Sequence, residues 1–220
     1  MRPRLHPREL PHAGALRRLY ERAVIWAGYG GGPRLMSWLR QRWVIARHPQ
    51  AEIRFGRGVY LGPRFSLFIP QNGAFIVGDH VEFRRDFRAE VSGQGRVTIG
   101  RETRFTYSVL IQCTTTIEIG ERCMFGQTTI LLDGQHRFRD ITRPMLEQGY
   151  DFHPLRIEDD AVITTKCTIM ADVGRGAFVG ANSVVTRPVP PYTVAVGAPA
   201  RPIEYFGPPG GEPEALRAAD

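Results

Sequence analysis

Residues 99–131 read IGRETRFTYSVLIQCTTTIEIGERCMFGQTTIL, and large apolar residues return in them at every sixth position. Ile99, Phe105 and Ile111 form one set; Ile119, Phe125 and Leu131 form the next. The rhythm continues at Ile157, Ile163 and Ile169, then at Val179 and Val185. Glycine often follows directly, as in Val77-Gly78, Ile99-Gly100, Ile119-Gly120, Phe125-Gly126 and Val179-Gly180. Four positions after many anchors stands a second small or apolar residue: Val81, Thr103, Val109, Cys123, Thr129, Ala161, Cys167 and Ser183.

A helix repeats its apolar stripe at three and four, so a period of six is not helical. It suits a prism whose faces are short strands and whose corners are tight turns. The anchor points inward and the small residue beside it lets the backbone turn. Three faces make a coil of about 18 residues, and coils stack through parallel strand hydrogen bonds.

The larger spacings agree. Ile119 follows Ile99 by one coil and a small surplus at a corner. Ile157 follows Ile119 by one coil and an insertion slightly longer than a second coil. The insertion falls at 133–154, where DGQHRFRDITRPMLEQGYDFHP breaks the rhythm. Long loops on a rigid repeat scaffold are common places for function. The expected architecture is an all-β parallel β-helix over 51–205, with an arm at 1–50 and a Pro- and Gly-rich mobile tail at 206–220.

Charge is unevenly placed. Residues 1–50 hold ten arginines against Glu9 and Glu21; the remainder carries 19 basic and 20 acidic residues. The formal +7 therefore belongs to the arm. Segments 13–29 and 33–47 read as two helices joined through a glycine run, with Pro33 in the first turn of the second. All three tryptophans, Trp26, Trp38 and Trp43, lie here. Such an arm serves either as a cap over the open end of the β-helix or as a peripheral contact with an anionic membrane surface through residues 13–47. No nucleic-acid fold accompanies it. The three cysteines have no metal spacing, no apolar signal core opens the chain, and no stretch of 18 apolar residues occurs. These features point to a cytoplasmic protein, peripheral at the inner face of a membrane if the arm binds there.

Residues 157–203, IEDDAVITTKCTIMADVGRGAFVGANSVVTRPVPPYTVAVGAPARPI, resemble the closing coils of the hexapeptide-repeat acyltransferases, which are left-handed parallel β-helices. VGANSVVTRPVPPY and VGAPARPI are the most specific parts. The likeness runs over about 75–205 and is nearest to sugar O-acetyltransferases of the maltose and galactoside type. It implies acetyl-CoA, or another acyl-CoA, as co-substrate, no permanently bound cofactor, a sugar or glycan acceptor, and a homotrimer with sites between subunits. Val162 and Thr164 stand where relatives carry Trp and Gly, and IMADVGRGAFVG is shorter than the usual run, so one corner must tighten.

Acyl transfer from a thioester to an alcohol needs a base for the hydroxyl proton, work suited to an imidazole. His136, shortly past the anchor Leu131, stands at the mouth of the insertion, and the resemblance places it at the family's catalytic histidine. Asp133 is a candidate to orient that imidazole or hold a sugar hydroxyl, or else to cap the turn at Gly134. Thr106 is a weaker acceptor-site candidate, and His153 a second loop histidine. For coenzyme A the resemblance points to Thr165, Ala181 and Thr186 along the pantetheine path, with Arg187 and Arg201 for the phosphates. Carbonic anhydrases of the gamma class share the β-helix but need three histidines, two of them five apart. Ile141 stands five beyond His136, so no metal is expected. Alternatives are an N-acyltransferase acting on an amino sugar or antibiotic and a non-enzymatic scaffold. A sugar-nucleotide pyrophosphorylase is set aside, because only the short arm precedes the repeat.

Overall fold

The computed structural model describes residues 31–217, whose contacts fall into two units, Met1–Met36 and Ser37–Asp220. The described part of the first unit is the opening of the helix Gly31–Arg47, in which Pro33 occupies the first turn. The helix expected over 13–29, with Trp26, lies outside the described residues.

The second unit is the stacked prism. One face runs through strands Glu52–Phe55, Ala74–Val77, Arg96–Ile99, Thr116–Ile119 and Leu155–Ile157, and is extended by single bridges to Val173 and Val189. The second begins at Tyr60–Leu61 and includes Thr193–Gly197; the third runs from Ser66–Phe68 to Val184–Val185. Neighbours along each face are parallel up to the closing hairpin, and the register sets anchor on anchor: Phe55↔Val77, Val77↔Ile99, Ile99↔Ile119, Ile119↔Ile157. The period of six therefore begins earlier than residue 99, at Phe55, Leu61 and Leu67.

Every anchor from Ile99 to Val185 is buried, as are Thr103, Thr129 and Ser183 beside them. The buried hydroxyls are satisfied by carbonyls: Thr103 Oγ1 donates to Gly120 O at 2.9 Å and Thr129 Oγ1 to Thr164 O at 3.0 Å. In the early coils the core is aromatic. Phe83, Phe105 and Phe125 stack at 5.0 and 4.7 Å with rings nearly parallel. Later coils replace these rings with Ile163 and Val179, so the prism's interior changes from aromatic to aliphatic.

The corners explain the glycines. A Cβ on Gly126 would lie 2.5 Å from the Thr164 carbonyl carbon of the next coil, so only hydrogen fits. The tightened corner expected near Ala171 is real. Ile157 bridges Val173 and Val173 bridges Val189, and each of these steps falls short of a full coil.

The middle of the helix caps the first coil. The Leu61 amide donates to Ser37 Oγ at 2.8 Å, while Arg40 and Gln41 donate to the carbonyls of Leu61 and Val59, both at 2.9 Å. These groups would otherwise form an unpaired sheet edge. At the other end Ala200–Tyr205 turns back antiparallel on Thr193–Gly197 and closes the last coil. The tail is more ordered than its composition suggests. The Phe206 amide donates to Tyr192 O, Tyr205 Oη donates to Pro208 O, and Glu214–Arg217 makes a helical turn.

Candidate active site in the inserted arm

The insertion leaves the prism after strand Ile130–Leu132 and returns at Leu155–Ile157. It is a hairpin arm, with Gly134–His136 pairing antiparallel to Tyr150–Phe152. Gly134 is required because the Phe152 ring lies where its Cβ would be. At the tip Gln148 closes the loop: its Oε1 accepts the Asp140 amide at 3.1 Å, and its Nε2 donates to the carbonyls of Asp140 and Arg143.

Asp133 roots the arm. Its buried carboxylate accepts the amides of Thr114 and Thr115 and the Thr115 hydroxyl, while its own carbonyl accepts the His153 amide at 2.8 Å. The turn that Asp133 caps is thus the one at Thr114-Thr115, and not the one at Gly134. Both carboxylate oxygens are engaged there, and no hydrogen bond joins Asp133 to the His136 ring.

His136 is half-buried and packs against Tyr150, ring centroids 4.2 Å apart and planes tilted by 38°. Its ring makes no hydrogen bond among the described residues. It is among the residues lining a cavity of about 460 Å³, with Arg137, Phe138, Arg139, Asp140, Arg143 and Gln148. A second cavity of about 310 Å³, which shares Gln135 and Asp151 with the first, gathers Asp133, His153, Met170 and Thr186.

The remaining expected residues are not all brought together. Thr106 lines neither cavity, and its hydroxyl donates to Phe125 O at 2.9 Å. Thr164 repeats that bond with Val179 O at 2.8 Å, so the threonine there serves coil stacking. Thr165 and Ala181 stand at one corner on successive coils, where the Asn182 amide donates to Thr165 O. Thr186 and Arg187 follow strand Val184–Val185, one face away. Arg201 lies on the closing strand, paired with Val196. Within one chain the proposed coenzyme A residues therefore occupy two separate edges. Among the described residues no group of three His, Cys, Asp or Glu side chains is placed to hold a metal ion.

No protein-family model matches the chain. A probable acetyltransferase of Mycobacterium tuberculosis is 29% identical over 156 residues, 70% of this chain and 44% of that protein. A putative lipopolysaccharide biosynthesis O-acetyl transferase of Escherichia coli is 23% identical over 152 residues, 65% of this chain and 78% of that protein. A solved hexapeptide-repeat containing acetyltransferase of Vibrio cholerae, complexed with acetyl coenzyme A, matches at a TM-score of 0.53 and 22% identity over 88% of each chain. The chain has the left-handed parallel β-helix fold. It spans about half the length, or less, of the curated relatives it matches first.

The sequence of this β-helix protein did not single out Tyr150 or the arginines of the arm. Inside the insertion no period marks which side chains face one another. The antiparallel pairing that sets His136 opposite Tyr150 has only Gly134 as a local signal.

Proposed function

We propose that the protein transfers an acyl group, acetyl in the simplest case, from coenzyme A to a hydroxyl of a sugar or glycan. The observation that carries this reading is His136, packed against Tyr150 on the paired arm and lining a cavity there. The kinship with acetyltransferases supports the donor, and the lipopolysaccharide O-acetyl transferase supports a sugar hydroxyl. In the proposed reaction His136 takes the hydroxyl proton as oxygen attacks the thioester carbonyl. The tetrahedral adduct then collapses, the carbon–sulfur bond breaks, and the imidazolium returns the proton to the leaving thiolate. Thr165, Ala181, Thr186, Arg187 and Arg201 are the proposed donor contacts. Their separation onto two edges supports a groove completed by a second subunit.

A homotrimer is part of this proposal. In its favour is an outward column of apolar side chains in strict register on one face: Met124, Val162, Phe178 and Val194. Symmetric closure would bury it. A peripheral contact with anionic membrane is supported by Trp38 and Trp43, 52% and 66% exposed, beside the exposed Arg42 and Arg47. No described helix is long and apolar enough to cross a membrane. Because Ser37, Arg40 and Gln41 cap the first coil, Trp38→Ala/Trp43→Ala tests that contact more cleanly than removal of the arm. The double variant should lose binding to phosphatidylglycerol vesicles, and undiminished binding would end the membrane reading.

The function is tested by incubating the full chain with acetyl-CoA and a panel of sugars and amino sugars, following thiol release and acceptor mass. Acceptor-dependent release with an alkali-labile acetyl gain is the expected outcome. An alkali-stable gain on amino sugars would mean N-acylation. Failure to bind acetyl-CoA would leave a scaffold.

A further inference from the structure

We infer that Arg139 and Arg143 form an anion subsite beside His136, so that the acceptor is a sugar bearing a carboxylate or a phosphate. The inference rests on the acyl-transfer reading above and narrows its substrate class.

The cavity at His136, about 460 Å³, lies within the range of small-molecule sites. Its wall holds three arginines against two aspartates. Arg137 is neutralised by Asp151, Nε to Oδ1 at 2.6 Å. The Asp140 carboxylate is turned to Thr142, accepting its amide at 3.0 Å and its hydroxyl at 2.6 Å. Arg139 and Arg143 form no ion pair among the described residues. Arg139 lies over the Phe138 ring at 5.4 Å, an arrangement that leaves its in-plane N–H donors open. Arg143 uses one terminal nitrogen on Glu147 O and keeps the rest. A planar fork of donors matches the paired oxygens of a carboxylate or phosphate.

The site is also held in shape without ligand. Gln148 ties Asp140 to Arg143, and Arg143 ties itself to Glu147, so the two guanidiniums sit on a closed loop and not on a free strand. With three arginines against two aspartates the cavity that His136 lines keeps a net positive charge, carried by the two guanidiniums without an ion-pair partner among the described residues. Both arginines are exposed and lie outside the coils, so replacing them leaves the prism intact.

The test offers the full chain several hexoses, each as the neutral sugar, the uronic acid and the 1-phosphate, and compares Arg139→Gln/Arg143→Gln with the parent. The parent should show a lower KM for charged forms, rising with ionic strength. The double variant should raise that KM by roughly tenfold per arginine while KM for acetyl-CoA and for neutral sugars moves less than twofold. Preference for the uronic acid or for the 1-phosphate identifies which oxyanion is bound. Equal use of neutral and charged sugars would overturn the subsite, and so would a loss confined to acetyl-CoA, which would assign the arginines to the donor's phosphates. Calorimetric titration with glucuronic acid and glucose 1-phosphate reads the subsite apart from turnover. Heat that the double variant abolishes, with no acyl transfer to any sugar, would sink the acyl-transfer reading and keep the subsite. No heat from either ligand would sink the subsite.

Discussion

The carboxylate of Asp133 accepts both the amide and the hydroxyl of Thr115, the hydroxyl at 2.9 Å, and so ties the root of the arm to the turn one coil back. Asp133→Ala would leave the amides of Thr114 and Thr115 without their acceptor. Leaving buried donors unpaired costs about 1–3 kcal/mol each, so a loss of roughly 2–4 kcal/mol is expected in urea unfolding. Acetyl-CoA binding should persist. An Asp133→Ala protein as stable as its parent would show that the pin is dispensable.

The thiols should be inert. Cys113, Cys123 and Cys167 are all buried. Burial pushes the Cys113 thiol up to about 12, with the Asp133 carboxylate adding to the effect, and pushes the Cys123 thiol up to about 11. At pH 8 almost no thiolate exists at either. Titration with an aromatic disulfide should find no fast-reacting thiol in the folded protein and all three after unfolding. One equivalent reacting within seconds would contradict the packing of the coils.

Carboxylates along two corners should make stability fall in acid. Asp86 and Asp160 are held below the usual range chiefly by side-chain hydrogen bonds from Arg64 and Arg122, and Asp159 chiefly by the Glu121 amide. A folded-state pKa below the unfolded value, about 3.9 for Asp, contributes stability that is present above that value. It disappears as pH falls through the folded one. Urea midpoints should therefore be flat from pH 6 to 8 and drop below about pH 4. The drop should be modest, because these pairs are exposed and screened. A midpoint that rises between pH 5 and 3 would reverse the assignment.

The sequence made the prism legible because the anchors obey one spacing and face one interior. The spacing of Ile99 and Ile119 foretold their pairing on successive coils, and the larger surplus before Ile157 foretold the insertion. The shortened IMADVGRG run foretold the short steps through Val173. Phe55, Leu61 and Leu67 obey the same rule, yet surplus residues at the corners of the first two coils hide them from a strict count. The aromatic stack through Phe83, Phe105 and Phe125 follows from that register. Phe105→Ala at its centre should cost about 3–5 kcal/mol in thermal or urea unfolding; a cost under about 1 kcal/mol would mean the stack does not hold the coils. The candidate site was less legible. The distance from Leu131 picked out His136, which lines a cavity, but it could not show that Asp133 and Thr106 bond the backbone of the neighbouring coil. Each is a short polar side chain next to a coil carbonyl or amide, and only the neighbouring coil decides its use. Thr165, Ala181 and Thr186 fit one groove in a linear resemblance, because such a likeness carries no information about which face follows which corner.

His136→Ala should lower kcat by roughly two to four orders of magnitude, the range for losing a general base. The KM for acetyl-CoA should hardly change, since the proposed donor contacts lie on the coils and proton transfer develops only as the hydroxyl attacks. His136→Asn keeps much of the side chain's size but cannot take the proton, and should be about as inactive. Tyr150 gives a second reading of the same arrangement, because its ring lies 4.2 Å from the imidazole, centroid to centroid, without sharing a hydrogen bond. Tyr150→Phe preserves the packing surface and should keep nearly full activity. Tyr150→Ala frees the imidazole to rotate and should cost about tenfold in kcat, again without moving KM for the donor. If His136→Ala retains most of its turnover, the base lies elsewhere and His153, in the second cavity beside Thr186, is the next residue to replace. If Tyr150→Phe is as damaged as Tyr150→Ala, the hydroxyl and not the ring is what matters, and the packing argument falls while the role of His136 stands.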